Sequence, residues 1–152
     1  MTRSTTGRRS RQKGQEYERR IASMLEDALP GTTWKRRTQT RGARVDGSDI
    51  EGLDGDGKPL PLFLELHCGK LPIDSKLDQA IMDAPPGWHP IAIVHRPGTQ
   101  YRNDRARLTV GDFLELAGLS DCTEDLNYTM RVGVSLDSLL TLLGGWWRRR
   151  TG

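Results

Sequence analysis

Gly47-Ser48-Asp49-Ile50-Glu51-Gly52 and, after a Gly/Pro-rich break, Leu62-Phe63-Leu64-Glu65-Leu66-His67-Cys68-Gly69-Lys70 are the stretches whose reading decides the fold. They read as two short strands joined by a hairpin, with Asp49 on the first and Glu65 on the second, so that two carboxylates converge at one end of a small sheet. Such a pair suits a hard divalent cation, because Mg²⁺ takes oxygen ligands and is commonly held by one or two carboxylates. His67 stands two residues after Glu65 and shares its strand face.

Working outward, the apolar residues Tyr17, Ile21, Met24, Leu25, Ala28 and Leu29 recur at helical spacing between Gly14 and Leu29, and Pro30-Gly31 supplies the stop. Glu18 flanks that stripe; periodicity by itself favours an i,i+4 partner on a solvated face. Residues 32–40 suit a strand, and the cations Lys35, Arg36 and Arg37 place it at an edge or facing a partner. Arg41 and Arg44 sit in a basic loop that leads straight to Asp49. Asp54-Gly55-Asp56-Gly57-Lys58-Pro59 is a turn by composition.

Beyond Glu65, Pro72 to Ala84 gives a second helix with Ile73, Leu77, Ala80 and Ile81 on one face, Gln79 beside it and Lys76 near its start. Pro90 to His95 is an apolar run of the kind a doubly covered strand shows. Strand, helix, strand in that order is a crossover, so the later strand runs parallel to the Glu65 strand. Arg105 to Val110 is expected to be a final edge strand before a short helix from Asp112 to Ala117. Residues 109–118 and 135–144 echo each other as capped starts of amphipathic helices closed by glycine. The tail Trp146-Trp147-Arg148-Arg149-Arg150 suits either stacking on bases or a hydrophobic anchor with a solvated end.

Composition sets the limits. The 152 residues are 35% hydrophobic and 28% charged, fitting one soluble domain, and no apolar run approaches the roughly 20 residues of a membrane span. The Arg/Ser/Thr-rich start has no apolar signal region, and Cys68 and Cys122 make no disulfide framework, so a cytoplasmic setting is expected. Residues 1–44 hold 12 of the 23 Lys/Arg and 4 of the 20 Asp/Glu, a balance of +8, whereas residues 45–152 carry −5. A cationic front on an acidic remainder suggests a polyanion partner.

Gly14-x-x-x-Glu18 on the first helix, Gly47-Ser48-Asp49-Ile50, Glu65 and Gln79, in that order and context, resemble the PD-(D/E)XK nuclease superfamily, especially archaeal-type Holliday-junction resolvases and phage resolvase-like proteins. The resemblance implies a restriction-endonuclease-like α/β core with a mixed central sheet flanked by helices. It implies a metal site of Glu18, Asp49 and Glu65 for Mg²⁺ or Mn²⁺, with Gln79 in support, and hydrolysis of phosphodiester bonds in branched or duplex DNA such as a four-way junction. Arg8, Arg9, Arg11, Lys13, Arg36, Arg37, Arg41 and Arg44 are then the expected DNA contacts. The setting would be a bacterial or phage-infected cell, and the protein a homodimer, with Leu136, Leu139, Leu140, Leu143 and Trp146 as interface candidates. The chain divides as a basic flexible arm (1–13), a nuclease-like domain (14–118) and a C-terminal extension for dimerisation or DNA contact (119–152).

One position departs from the family pattern. A lysine is expected two residues after the second strand acid, and His67 occupies it. Three outcomes stay open: His67 acts as general base or ligand, Lys70 or Lys76 supplies the charge from another backbone position, or cleavage is lost and a DNA-binding or phage assembly protein remains. His89 and His95 read as loop and strand-end residues rather than ligands.

Overall fold

Leu62 to Leu66 are buried without interruption, as only a strand covered on both faces can be. The computed structural model describes residues 3–36, 49–70, 72–119 and 127–152. In chain order the elements are α1 (Arg3–Ala28), β1 (Thr33–Arg36), β2 (Ile50–Leu53), β3 (Leu62–Cys68), α2 (Ile73–Asp83), β4 (His89–His95), β5 (Arg105–Thr109), α3 (Val110–Leu116), β6 (Arg131–Ser135) and α4 (Leu136–Thr151). All strands join one mixed sheet in the order β1-β2-β3-β4-β5-β6. Only β3 and β4 pair in parallel among these neighbours, joined by the α2 crossover that the sequence leads one to expect.

The period of two sorts the sheet into faces. Leu62, Leu64 and Leu66 of β3, Ile91 and Ile93 of β4 and Leu108 of β5 enter one core with Tyr17, Ile21 and Leu25 of α1 and with Leu139, Leu143 and Trp147 of α4. The alternate residues Phe63, Glu65 and Ala92 face the other way, where α2 brings Leu77 and Ala80. Each fully buried Leu or Ile contributes about 1.5–3 kcal/mol relative to exposure. Gly31, at φ +88°, turns the chain out of α1 into β1. Asp54 holds the β2–β3 turn by accepting from the Asp56 and Lys58 amides, each at 2.9 Å.

Several expectations change. The first helix starts at Arg3 instead of Gly14, so residues 3–13 are helical. No proline interrupts that stretch, and although Gly7 and Gly14 each cost about 1 kcal/mol relative to alanine, once the buried stripe nucleates α1 the helix propagates through them. The C-terminal extension belongs to the same domain, because β6 pairs with β5 along Arg105↔Ser135 to Thr109↔Arg131 and α4 packs into the core. Thus β5 is interior, and the interface candidates Leu136, Leu139 and Leu143 are fully buried within the chain.

The tail tryptophans are anchors: Trp147 Nε1 donates to Pro30 O at 2.8 Å and Trp146 is 9% exposed. Gly144 does not stop α4, which continues to Thr151. A Cβ there would lie 3.2 Å from Ala28 O, so this glycine lets two helices approach. The paired helix starts do hold, with Thr109 Oγ1 accepting from Asp112 N and Ser135 Oγ from Ser138 N.

β1 is an edge strand, as its charge suggests, and its buried residue Trp34 lies against Gly52 of β2. A Cβ on Gly52 would come within 2.6 Å of the indole ring. Gly52→Ala is therefore expected to lower unfolding free energy by about 1–3 kcal/mol by overpacking, read by denaturant unfolding; an unchanged midpoint would show that Trp34 yields freely.

Candidate active site

The β2–β3 register sets the two strand acids against each other. Ile50 pairs with Leu64, so continuing the antiparallel ladder by one residue brings Asp49 opposite Glu65. Two hydrogen bonds fix this: Asp49 N donates to Leu64 O at 3.0 Å, and Asp49 Oδ2 accepts from Leu66 N at 2.7 Å. Both side chains lie on the α2 face, and Glu65 is 4% exposed.

Charge at this point is costly. Burial and the neighbouring Asp49 push Glu65 up to about 7, with Asp83 adding to the rise and Lys76 opposing it. Asp49 is raised by burial, while the Leu66 amide, Lys76, Glu65 and His67 hold it down. Glu65 therefore keeps a proton more readily and shares it with Asp49, as two crowded carboxyls do.

Glu18, on α1, is within electrostatic reach of Asp49. Burial and the charge of Asp49 raise its carboxyl, and Arg36 lowers it. Arg36 Nε stands 3.1 Å from Glu18 Oε2, an ion-pair distance, yet that oxygen is buried and accepts no hydrogen bond. The solvated-face reading of Glu18 thus gives way to one in which an acceptor is turned inward. A cleft of about 460 Å³ opens beside it, lined by Lys13, Tyr17 and Glu18 of α1 and by Leu66, His67 and Cys68 of β3.

His67 is half-buried and its Nε2 would lie 3.1 Å from a Cβ at Gly69, whose φ of +141° only glycine adopts readily. Burial first, and Lys76 second, lower the imidazole below its ordinary value, with Asp49 opposing. It is neutral at pH 7 and can accept a proton. Of the two substitute lysines, half-buried Lys76 influences Asp49, Glu65 and His67 together. Lys70 is exposed and lines a different groove. Gln79 lies one helical turn after Lys76 but is exposed, and Asp83, seven residues after Lys76, adds an acid that sequence reasoning passed over.

The remaining candidates separate. Arg36 ends β1 at Glu18, whereas Arg37, Arg41 and Arg44 lie outside the described residues. Arg9, Arg11 and Lys13 are exposed on α1, which also carries Arg8. Both other histidines end β4 and are buried against acids: His89 Nδ1 lies 2.8 Å from Asp112 and His95 Nδ1 2.6 Å from Asp104. Asp104 also accepts from Tyr17 OH at 2.8 Å, and His95 stacks on Tyr101 at 4.5 Å. Burial, then Asp104, drives the Tyr17 hydroxyl far above its ordinary range, so it stays a donor. No sequence pattern joins these residues, which are 87 positions apart at Tyr17 and Asp104.

Among the described residues no three His, Cys, Asp or Glu side chains form a ready-made metal cluster. The donor chemistry nevertheless fits a hard cation: two facing carboxyls whose charges oppose each other, and on α1 a third carboxylate oxygen that, among the described residues, is buried, accepts no hydrogen bond and is countered by Arg36 alone.

No protein-family model and no curated protein sequence matches the chain. Among solved structures, it is similar to Hjc, a Holliday junction resolvase from the archaeal hyperthermophile Archaeoglobus fulgidus, at 14% identity and a TM-score of 0.47, over 83% of this chain and 98% of that one.

Proposed function

We propose that the chain is a metal-dependent, structure-selective DNA endonuclease of the Holliday-junction resolvase type. The single observation that carries this is the placement of Asp49 against Glu65 by the β2–β3 register and the hydrogen bonds of Asp49 to Leu64 and Leu66. Asp49 and Glu65, with Glu18 beside them, would hold Mg²⁺ or Mn²⁺, which supplies Lewis-acid stabilisation of the phosphate and an acidified water. His67 accepts a proton from the attacking water, and Lys76 places positive charge where negative charge develops on phosphate. The basic helix α1 and Arg36 attract the DNA backbone. A homodimer fits symmetrical cutting of two strands. Neutral His67 in place of a lysine favours the second reading, a DNA-binding or phage assembly protein that does not cut.

A cleavage assay separates them. Wild-type protein with Mg²⁺ or Mn²⁺ is expected to nick a labelled four-way junction, and Asp49→Asn and Glu65→Gln to abolish nicking while binding persists. Lys76→Ala and His67→Ala should each slow cleavage by about a hundredfold or more. Binding without nicking in either metal would establish the second reading, and activity that survives Asp49→Asn would expose a contaminant. His67→Lys discriminates further: a gain marks natural impairment, a loss marks a histidine that has taken over the role.

Stability supplies a readout independent of cleavage. Folded Glu65 holds its proton above the ordinary carboxylate range, so folding takes up a proton in that window and is favoured as pH falls. In chelator, the Tm of wild type relative to Glu65→Gln is expected to rise from about pH 8 to about pH 5. At the upper pH, Mg²⁺ should raise the Tm of wild type but not that of Asp49→Asn. A pH-independent difference between the two proteins would remove the shared-proton account.

A further inference from the structure

A groove of about 570 Å³ lies between the start of α2 and the β4–β5 connection, with Lys70, Asp74, Arg96, Thr99, Asn103 and Arg105 among its lining residues. A second hollow of about 420 Å³ continues it across β5 and β6, sharing Ile73, Asn103 and Arg105. Lys70, Arg96 and Arg105 are exposed, and among the described residues none of the three makes an ion pair.

The acids that would repel an anion there are already occupied. Arg107 grips Asp74 through two hydrogen bonds at 3.2 and 3.0 Å, and Arg131 binds both Asp74 and Asp78. Asp104 is 2% exposed and turned inward to His95 and Tyr17. Among the described residues, the groove thus offers to solvent three cations outside any ion pair, together with the polar groups of Thr99 and Asn103.

Its position matters as much as its charge. The cleft beside Glu18 is lined by His67, Cys68 and Pro97, and the groove begins at their chain neighbours Gly69, Lys70 and Arg96. Both open at the ends of the parallel strands β3 and β4, where sheets of this kind commonly bind ligands. A polyanion lying in the cleft beside Glu18 and His67 would continue into the groove.

We infer that this groove is a phosphate track in which Lys70, Arg96 and Arg105 hold the sugar–phosphate backbone of the DNA arm adjoining the cut. The inference rests on the DNA-cleaving reading and adds a contact surface distinct from α1 and Arg36. Phosphate contacts of this type set register and affinity without reading sequence. Each one releases counterions, so it appears as a unit of salt dependence.

Fluorescence anisotropy on a labelled four-way junction in chelator tests it, comparing the intact protein with Lys70→Gln, Arg96→Gln, Arg105→Gln and their triple combination. Each single change is expected to reduce the slope of log affinity against log salt by about 1, and the triple by about 3, with affinity falling at least about tenfold. Far-UV circular dichroism and Tm should match wild type, and Lys58→Gln, in the distant β2–β3 turn, should leave the slope unchanged. A triple variant that folds and keeps the wild-type slope overturns the track while leaving cleavage at Asp49 and Glu65 intact. A wild type that neither binds nor cuts the junction overturns the parent reading and the track with it. Single variants that fold and show no slope change overturn the track even where the triple fails to fold.

Discussion

The register between β2 and β3 is the constraint on which the site depends. A slip of one residue would send Asp49 to the face occupied by α1 and leave Glu65 alone under α2. Two forces prevent it. Leu62, Leu64 and Leu66 are anchored in the core on one face, and the Asp49 carboxylate itself accepts the Leu66 amide. The acid is therefore both a chemical group and part of the ladder that positions it. On the outer side, the Trp34 ring seated on Gly52 holds β1 against β2 despite the cations on β1.

The central part of this arrangement is legible in sequence because burial on both faces leaves continuous apolar runs. Leu62 to Leu66 and Pro90 to Val94 announce β3 and β4, and the helical stripe between them forces the crossover. The flanks are harder. β6 has no such run, since Arg131, Gly133 and Ser135 alternate with its two valines, and its strand identity comes from pairing with β5. α1 continues through Arg3 to Lys13 because its neighbours in the helix support it, a cooperative effect that charge composition conceals. Glu18 was misplaced by periodicity for a related reason: a residue at the margin of an apolar stripe is exposed or enclosed according to what the next strands bring, here Arg36 and Asp49.

His67 and Lys76 show how charge and sequence position come apart. An ammonium serves electrostatically wherever its stem can deliver it, and the α2 crossover runs past the same strand acids that a lysine on β3 would reach. Lys76 influences Asp49 and Glu65 from the helix, while His67 remains on β3 as a neutral imidazole beside them. Under the proposed cleavage, two functions that one lysine would combine, positive charge and proton handling, would be divided between two residues. Lys76 also depresses His67, so the division is self-consistent: the nearer the ammonium, the more firmly the imidazole stays a base.

Asp104 ties the surrounding pieces to this centre. It accepts from Tyr17, the residue before Glu18, and contacts His95, whose carbonyl accepts the Gly69 amide at 3.0 Å beside the His67 ring. Its own carbonyl accepts Leu136 N at the start of α4 at 2.7 Å. One buried residue therefore joins α1 and the end of β4 through its carboxylate and the C-terminal helix through its backbone carbonyl, and an unmatched partner there would carry the cost of a buried polar group. Because Tyr17 and Glu18 are consecutive on a stiff helix, fixing the hydroxyl also fixes where the third acid can stand. The C-terminal segment thereby contributes to the site without supplying any side chain to it.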